Sequence, residues 1–392
     1  MRRRYHIHLP GLVYLLLVLM VGLALASRPN NLLVWVFAAM LASVLLSGIV
    51  SGFMLMRVVV TRTVPRTAPA GEPLVIRYQV RNGSRLWPVL ALFIREMPPG
   101  RARRRRSWRG LWRGRPGDEG GAPIPRAFVQ HVGPGETLVA ETATVPLRRG
   151  PLRLDRLRCE TVFPFGLLLK SVRFDQRSET LVLPRVVRLR PSVLGALAAR
   201  GPAGSATSRR TGPGADFLGV REYRAGDSLR HVSWRRSATT GTLAVIERSV
   251  DVPPRVHVVL DLRRPTADLR LDPAGPDARA SEERAISLAA SLLAQADRDG
   301  YEHRLSVLGL PSPMMPLRRG HWHLQRALAV LGALELDGPR AGADTPPLDR
   351  ERTSVLVVHV DRADLAVGGP AAAHLTAAQF EALQAPREER AP

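Results

Sequence analysis

Lysine and cysteine are almost absent from this chain. Lys170 is the single lysine, so the 57 Lys+Arg are nearly all arginine, and Cys159 is the single cysteine. One cysteine excludes an intrachain disulfide and any zinc or iron–sulfur site built on several thiolates, and it fits a reducing compartment. Acidic residues are scarce too: 34 Asp+Glu leave a formal charge of +23. Such a surplus by itself points to nucleic acid or an anionic membrane surface. The near-exclusive use of arginine, with abundant Ala, Gly and Pro, is what a GC-rich genome produces, so composition carries less weight here. At 392 residues the chain is too long for one ordinary core, and two or three structural units are expected.

Charge is missing altogether from two runs, Leu9 to Ala26 and Leu32 to about Met56. Each is near the ~20 residues that a membrane-spanning helix needs. A hairpin of two transmembrane helices follows, because backbone in lipid must satisfy its own hydrogen bonds. Arg2, Arg3 and Arg4 precede the first run, Arg57, Arg62 and Arg66 follow the second, and only Arg28 sits in the turn. The positive-inside rule then places both ends in the cytoplasm. A rival reading takes the first run as a secretory signal ending at Ala24-Leu25-Ala26; the run is long for that, and the arginines after the second helix keep the soluble part inside either way.

From Val58 to Pro191, Pro73 to Asn82, Leu138 to Leu147 and Leu152 to Phe163 alternate apolar with polar residues, the period of half-buried strands, and predict an antiparallel β-sandwich. Inserted in it, residues 101–121 carry Arg103, Arg104, Arg105, Arg106, Trp108 and Trp112 with no acid before Asp118. That composition cannot bury a core and reads as a loop. Its basic and aromatic mix suits an anionic lipid surface near the anchor, or single-stranded nucleic acid, although a plainly solvated loop is the simpler expectation. Residues 192–213 read as a linker of small residues. Beyond them an α/β alternation runs through strands at Arg255–Leu262, His303–Leu310 and Ser354–Val360 and helices near Ser281–Asp297 and His321–Leu336. These predict a parallel sheet covered on both faces. The last residues, 366–392, read as a tail.

Several clusters compete as chemistry. Asp261 ends the first strand of the α/β pattern, where open parallel sheets bind ligands; Asp361 and Asp364 could join it at the rim, and Asp261 with Asp361 could serve as the carboxylates of a hydrolase. Asp227, His231 and Ser233 hold the residue types of a catalytic triad but lie too close in sequence and lack a nucleophile elbow. The glycines around Gly212–Asp216 lack the lysine of a phosphate-binding loop. His321 and His323 open a helix, where residues two apart diverge. The window Gly214 to Gly241 itself reads as structure: a strand, a turn with Gly226 free to take positive φ, Asp227 as N-cap of one helical turn, and Trp234 as an anchor against the α/β sheet.

That window resembles the family called domain of unknown function 58. Asp216, Phe217, Arg221, Glu222, Tyr223, Gly226, Asp227, Arg230, Trp234, Ser237, Ala238 and Gly241 stand at its signature places, with Thr239 where Arg is common. Leu147–Leu154 and Val162–Leu168 resemble two upstream motifs, Phe163 replacing an Asp. The resemblance implies a multi-pass inner-membrane protein with a β domain and a von Willebrand factor A-like region, acting without catalysis beside a MoxR-type AAA+ ATPase and other membrane proteins of its gene neighbourhood. Such a region would carry Asp-x-Ser-x-Ser for Mg²⁺. Here Asp261 is followed by Leu262, Arg263, Arg264 and Pro265, two guanidinium groups where a hard cation requires oxygen. The expectation is therefore an α+β multidomain chain. It comprises a transmembrane hairpin (1–57), a β-sandwich domain (58–191), a linker (192–213), signature strands plus a degenerate α/β domain (214–365) and a tail. It should have no metal or cofactor, and nucleic acid is not the expected partner.

Overall fold

A computed structural model describes residues 2–7, 9–27, 30–97, 125–198, 209–251, 253–270, 276–340, 353–369 and 372–386. The arginine-rich segment 101–121, with Arg103, Arg104, Arg105, Arg106, Trp108 and Trp112, lies outside them. The chain divides into two compact units, Met1–Leu183 and Pro184–Pro392.

The first unit opens with strand β1 (Arg2–Ile7), then helices α1 (Leu9–Ser27) and α2 (Asn31–Met54). The Tyr14 and Ser43 hydroxyls lie 2.9 Å apart, and a side chain at Gly22 would crowd the Phe37 ring, so the helices run antiparallel. Both are long and apolar enough to cross a membrane. Their large side chains, Leu16, Leu19, Leu45 and Trp35 among them, face outward, Trp35 being 76 % exposed. A core helix of a soluble protein would instead bury its apolar residues against partners.

After α2 come β2 (Val58–Thr63), β3 (Thr67–Pro69), β4 (Leu74–Asn82), β5 (Val89–Met97), β6 (Arg126–Val132), β7 (Thr137–Thr144), β8 (Gly150–Thr161) and β9 (Leu168–Leu183). They form two sheets, β1-β9-β8-β5-β6 with β3 beside β9, and β2-β4-β7. Period-2 burial along β2 and β4 sends Val58, Val60, Ile76, Tyr78 and Val80 into one core with Leu92, Ile94, Leu157 and Cys159 of the other sheet. The three strands expected from alternation are present as β4, β7 and β8. Burial pushes the Cys159 thiol far above its ordinary value. Within this core Arg62 donates to Glu96 at 2.6 Å, to the Leu154 carbonyl and to the Gln176 carbonyl, while Tyr78 donates to Glu96 at 2.9 Å.

β1 was not legible as a strand. It pairs antiparallel with β9, Arg2 opposite Arg173 and Ile7 opposite Leu168. The single lysine, Lys170 of β9, donates to the Gly48 carbonyl of α2, and Phe53 of α2 stacks on Trp87 at 5.7 Å. Both ends of the helix pair thus return to the same sandwich.

The second unit contains α3 (Pro191–Ala198), β10 (Arg209–Glu222), α4 (Trp234–Thr240), β11 (Ala244–Asp251), β12 (Arg255–Asp261), α5 (Ala278–Arg298), β13 (Glu302–Leu308), α6 (His321–Ala333), β14 (Ser354–His359), β15 (Ala373–Thr376) and α7 (Phe380–Leu383). Residues 192–198, expected to open a linker, are helical within α3 because Val193 and Leu194 bury. β12 to β15 make a parallel sheet in the order β13-β12-β14-β15. The strands and both long helices lie where the α/β pattern placed them. Asp277 caps α5, accepting from the Ala280 N–H, and Ala285, Leu288, Ala289, Leu292 and Leu293 are fully buried. The expected tail contributes instead the edge strand β15 and α7, docked by Leu375 and Phe380.

Candidate functional site

Two places collect the residues singled out in the sequence. The first is the signature window, which forms a two-stranded antiparallel ribbon, β10 with β11, joined through a 3-10 turn at Leu229–His231 and helix α4. Gly226 adopts φ +106°, as the turn requires, and the Asp227 N–H closes it onto the Arg224 carbonyl at 3.0 Å. Asp227 does not cap the helical turn. Its carboxylate receives both Arg221 guanidinium nitrogens at 2.7 Å and the Arg224 N–H at 2.8 Å, because the fork offers two charged donors where a cap offers one amide. The Arg221 bonds, then the Arg224 N–H, lower its pKa to about 2.

Ser237 ties α4 to the ribbon by donating to the Ser233 carbonyl and accepting from the Ala244 N–H at 2.9 Å. Gly241 closes α4 with its N–H on the Ser237 carbonyl. Tyr223 pairs its N–H with the Leu243 carbonyl. Glu222 and Arg230 are exposed, and Phe217 stands opposite Arg248 in the ribbon register. Trp234 is not an anchor: it is 63 % exposed, and Leu229 and Leu243, also between β10 and β11, are exposed as well. With Asp227 held by Arg221, no hydrogen bond orients the His231 ring among the described residues, and the triad does not form. His321 and His323 diverge as expected, His323 donating to the His303 carbonyl at 3.0 Å.

The second place is the C-terminal rim of the parallel sheet. β12 leads through α5 to β13 on one side, while β14 lies on the other, so the chain direction switches at β12, the position where such sheets hold ligands. Asp261 ends β12 and His359 ends β14, opposite each other in register. Arg263 folds back on Asp261 with Nε and Nη2 each 2.9 Å from its two oxygens, and the same Nη2 reaches Asp364 at 2.8 Å. Arg264 donates to Asp361 at 2.8 Å. Around them opens a cleft of ≈ 590 Å³ lined also by Pro265, Asp268, Arg270 and Arg362.

The carboxylates here are strongly acidic. Burial alone would raise Asp261, but His359 and Arg263 outweigh it and hold the group far below the ordinary range. Burial likewise opposes the lowering of Asp361, which the Arg362 and Arg270 N–H groups and Arg264 impose. Asp364 is lowered chiefly by Arg263. Asp261 in turn raises the Arg263 guanidinium. The loop is fastened below by Thr266, which donates to the buried Glu282 at 3.0 Å; burial raises that carboxyl against the pull of Thr266 and Arg340.

Two further residues belong to the rim and were missed in the sequence. His359 Nδ1 lies 3.2 Å from Asp261 and its Nε2 lies 3.0 Å from His374 Nδ1. Asp261 only accepts, so in the neutral ring His359 donates from Nδ1 and accepts from His374, leaving His374 Nε2 as the outer acceptor. Burial and then His359 lower the His374 pKa. No local pattern marks these histidines, since they lie on different strands and meet only through sheet register.

The Mg²⁺ expected of a von Willebrand factor A-like rim does not fit these residues. Asp261 already has a guanidinium across both oxygens, and Arg263 and Arg264 stand where hydroxyl ligands would be needed. Among the described residues no group of three or more His, Cys, Asp or Glu is arranged to hold a metal ion.

Residues 219–364 match the model of the family described as "Protein of unknown function DUF58", a stretch that runs from β10 to Asp364 of the rim. No curated protein matches the chain. Among solved structures, the chain is similar to the crystal structure of a GH20 exo beta-N-acetylglucosaminidase from Vibrio harveyi in complex with N-acetylglucosamine. That similarity has 10% sequence identity and a TM-score of 0.16, and covers 77% of this chain and 57% of that one. The chain therefore spans less than two thirds of that protein, and a likeness of this size carries no argument about fold or chemistry.

Proposed function

We propose, starting from the DUF58 match over residues 219–364, that this chain is a membrane-anchored interaction protein without catalytic turnover, working beside a MoxR-type AAA+ ATPase on assembly or maturation of other proteins. The carrying observation is the state of the sheet rim. A carboxylate acid–base pair needs one partner with a raised pKa so that it can donate a proton near neutrality. Asp261 and Asp361 are both lowered, and each is held by an arginine. These two carboxylates are thus held as fixed charges rather than as a proton donor and acceptor, which favours binding over hydrolysis by that pair.

The anchor is the α1–α2 pair, read as two spans with both ends on the cytoplasmic face of the inner membrane. The arginines flanking the apolar runs support that orientation, as does the return of β1 to the sandwich that follows α2. The exposed Trp234, Leu229 and Leu243 of the signature ribbon are the surface we assign to the protein partner, aromatic anchors being the commonest hot spots.

The test is crosslinking of the full-length chain in native membranes, followed by identification of the captured proteins. An AAA+ ATPase should be recovered under ATP or ADP, and recovery should fall about tenfold for Trp234→Ala, as for a central interface aromatic. Capture of no AAA+ ATPase in either nucleotide overturns the proposal.

A further inference from the structure

We propose that two loops of the sandwich, 83–88 between β4 and β5 and 162–167 between β8 and β9, dip into the bilayer beside α2, with Leu86, Trp87 and Phe165 entering the boundary between lipid headgroups and acyl chains. Strand register places both loops at the helix end of the sandwich. Asn82, last of β4, pairs with Val58, which follows α2, whereas Leu74 and Thr144 lie at the far end of the same sheet. β5 pairs with β8 through Leu92 and Thr161, and the Thr161 hydroxyl donates to the Leu90 carbonyl at 3.1 Å. The second loop therefore leaves its sheet beside the first.

Depth follows from the contacts with α2. Trp87 stacks on Phe53, and the Leu168 side chain that opens β9 lies against Gly48. The 24 residues of α2 rise about 36 Å, about 6 Å more than a hydrocarbon core of about 30 Å. However that surplus is shared between its ends, the lipid boundary crosses α2 between Gly48 and Met54, the level at which both loops touch it. Leu86 is 83 % exposed, and Trp87 and Phe165 are exposed too. Single exposed apolar residues are ordinary, but these three gather at the end of an apolar helix pair, where aromatic side chains suit the interface. Lipid is the occupant that this continuity selects. The first loop is held in shape, since Asn82 Nδ2 donates to the Trp87 carbonyl at 2.9 Å and Ser84 Oγ accepts from the Trp87 N–H at 3.0 Å. Arg57 and Arg85 are exposed at the same end, where headgroup phosphates attract them, and the nearby Glu136 is turned onto the Gly133 N–H at 2.6 Å.

This inference rests on the anchor reading above, and a label within α2 separates the two. The single cysteine, Cys159, is buried and does not present a thiolate to a label, so one introduced cysteine at a time can carry an environment-sensitive fluorophore. The full chain is reconstituted in phosphatidylcholine–phosphatidylglycerol vesicles containing a lipid with a nitroxide near the top of its acyl chain. Labels at Leu86→Cys and Phe165→Cys, exposed positions outside the core, should be quenched at least about threefold more than one at Leu147→Cys, as for side chains seated ~5–10 Å into the interface. Leu147 is equally open to solvent but lies at the far end of the sandwich. Quenching at 86 and 165 no stronger than at 147 overturns the proposal. So does a blue-shifted label at 86 that the nitroxide lipid does not reach, which would mean that protein, a second copy included, covers the patch. A label at Leu45→Cys reports the anchor: quenched there but not at 86 or 165, the loops stay in water while the anchor stands; unquenched at 45, the anchor reading falls and this one with it.

Discussion

Arg62 and Arg221 each hold a carboxylate, in opposite settings. Arg62 and Glu96 are sealed inside the sandwich, with side chains 0 % and 3 % exposed, so removing one partner strands a charge away from water. Arg62→Met should destabilise the chain by about 3–5 kcal/mol in chemical denaturation, whereas Arg62→Met/Glu96→Leu should recover part of that loss because no buried charge remains. The Arg221–Asp227 pair is near solvent, and its value lies in fixing the turn. The folded pKa of Asp227 is depressed to about 2, so its stabilisation is complete above the unfolded-state value of about 3.9 and is lost as the pH falls through about 2. Amide exchange across residues 221–230 should therefore quicken on acidification through that window. Asp227→Asn should show the faster exchange already at neutral pH and a flatter acid response. Unchanged protection in the variant would mean that the fork does not hold the turn.

At the scale of elements, strand and helix positions were largely legible because burial leaves a period. Alternation marked β4, β7 and β8, and the 3.6-residue repeat marked α5. β1, β15 and the His359–His374 contact were not legible. A short polar strand and two histidines on separate strands acquire meaning only when register brings a partner beside them. The loop after β12 depends on one close approach of this kind. Gly309 has φ +89°, and a Cβ there would lie 2.4 Å from the Leu262 carbonyl oxygen and 2.6 Å from the Arg263 Cα. Both obstacles are backbone, so Gly309→Ala must displace the segment that aims Arg263 at Asp261. It should cost about 1–3 kcal/mol, the scale of local backbone strain, and remove exchange protection from residues 260–264. Wild-type protection in that peptide would show that the loop adapts freely.

For the whole molecule the apolar helix pair sets the environment. With Leu16 and Leu45 facing outward at 58 % and 59 % exposure, the chain should stay with membranes after alkaline carbonate washing. Leu16→Arg/Leu45→Arg should release it, since each charge at a span centre costs about 2.5–3.5 kcal/mol. Release of the unaltered chain by carbonate would remove the anchor from the description.

Composition and pattern by themselves determined the apolar pair, the strand-rich middle, the parallel α/β end and the signature window, because each leaves its mark in consecutive residues. Only the tertiary structure decided what those residues do. Asp227 turned from a helix cap to an arginine partner, and Trp234 from an anchor to an exposed side chain. The end of β12 became a rim in which Arg263 folds back on Asp261 and also reaches Asp364. The reason is physical: a carboxylate goes to the strongest donors within reach, and reach is set by residues far apart in the chain.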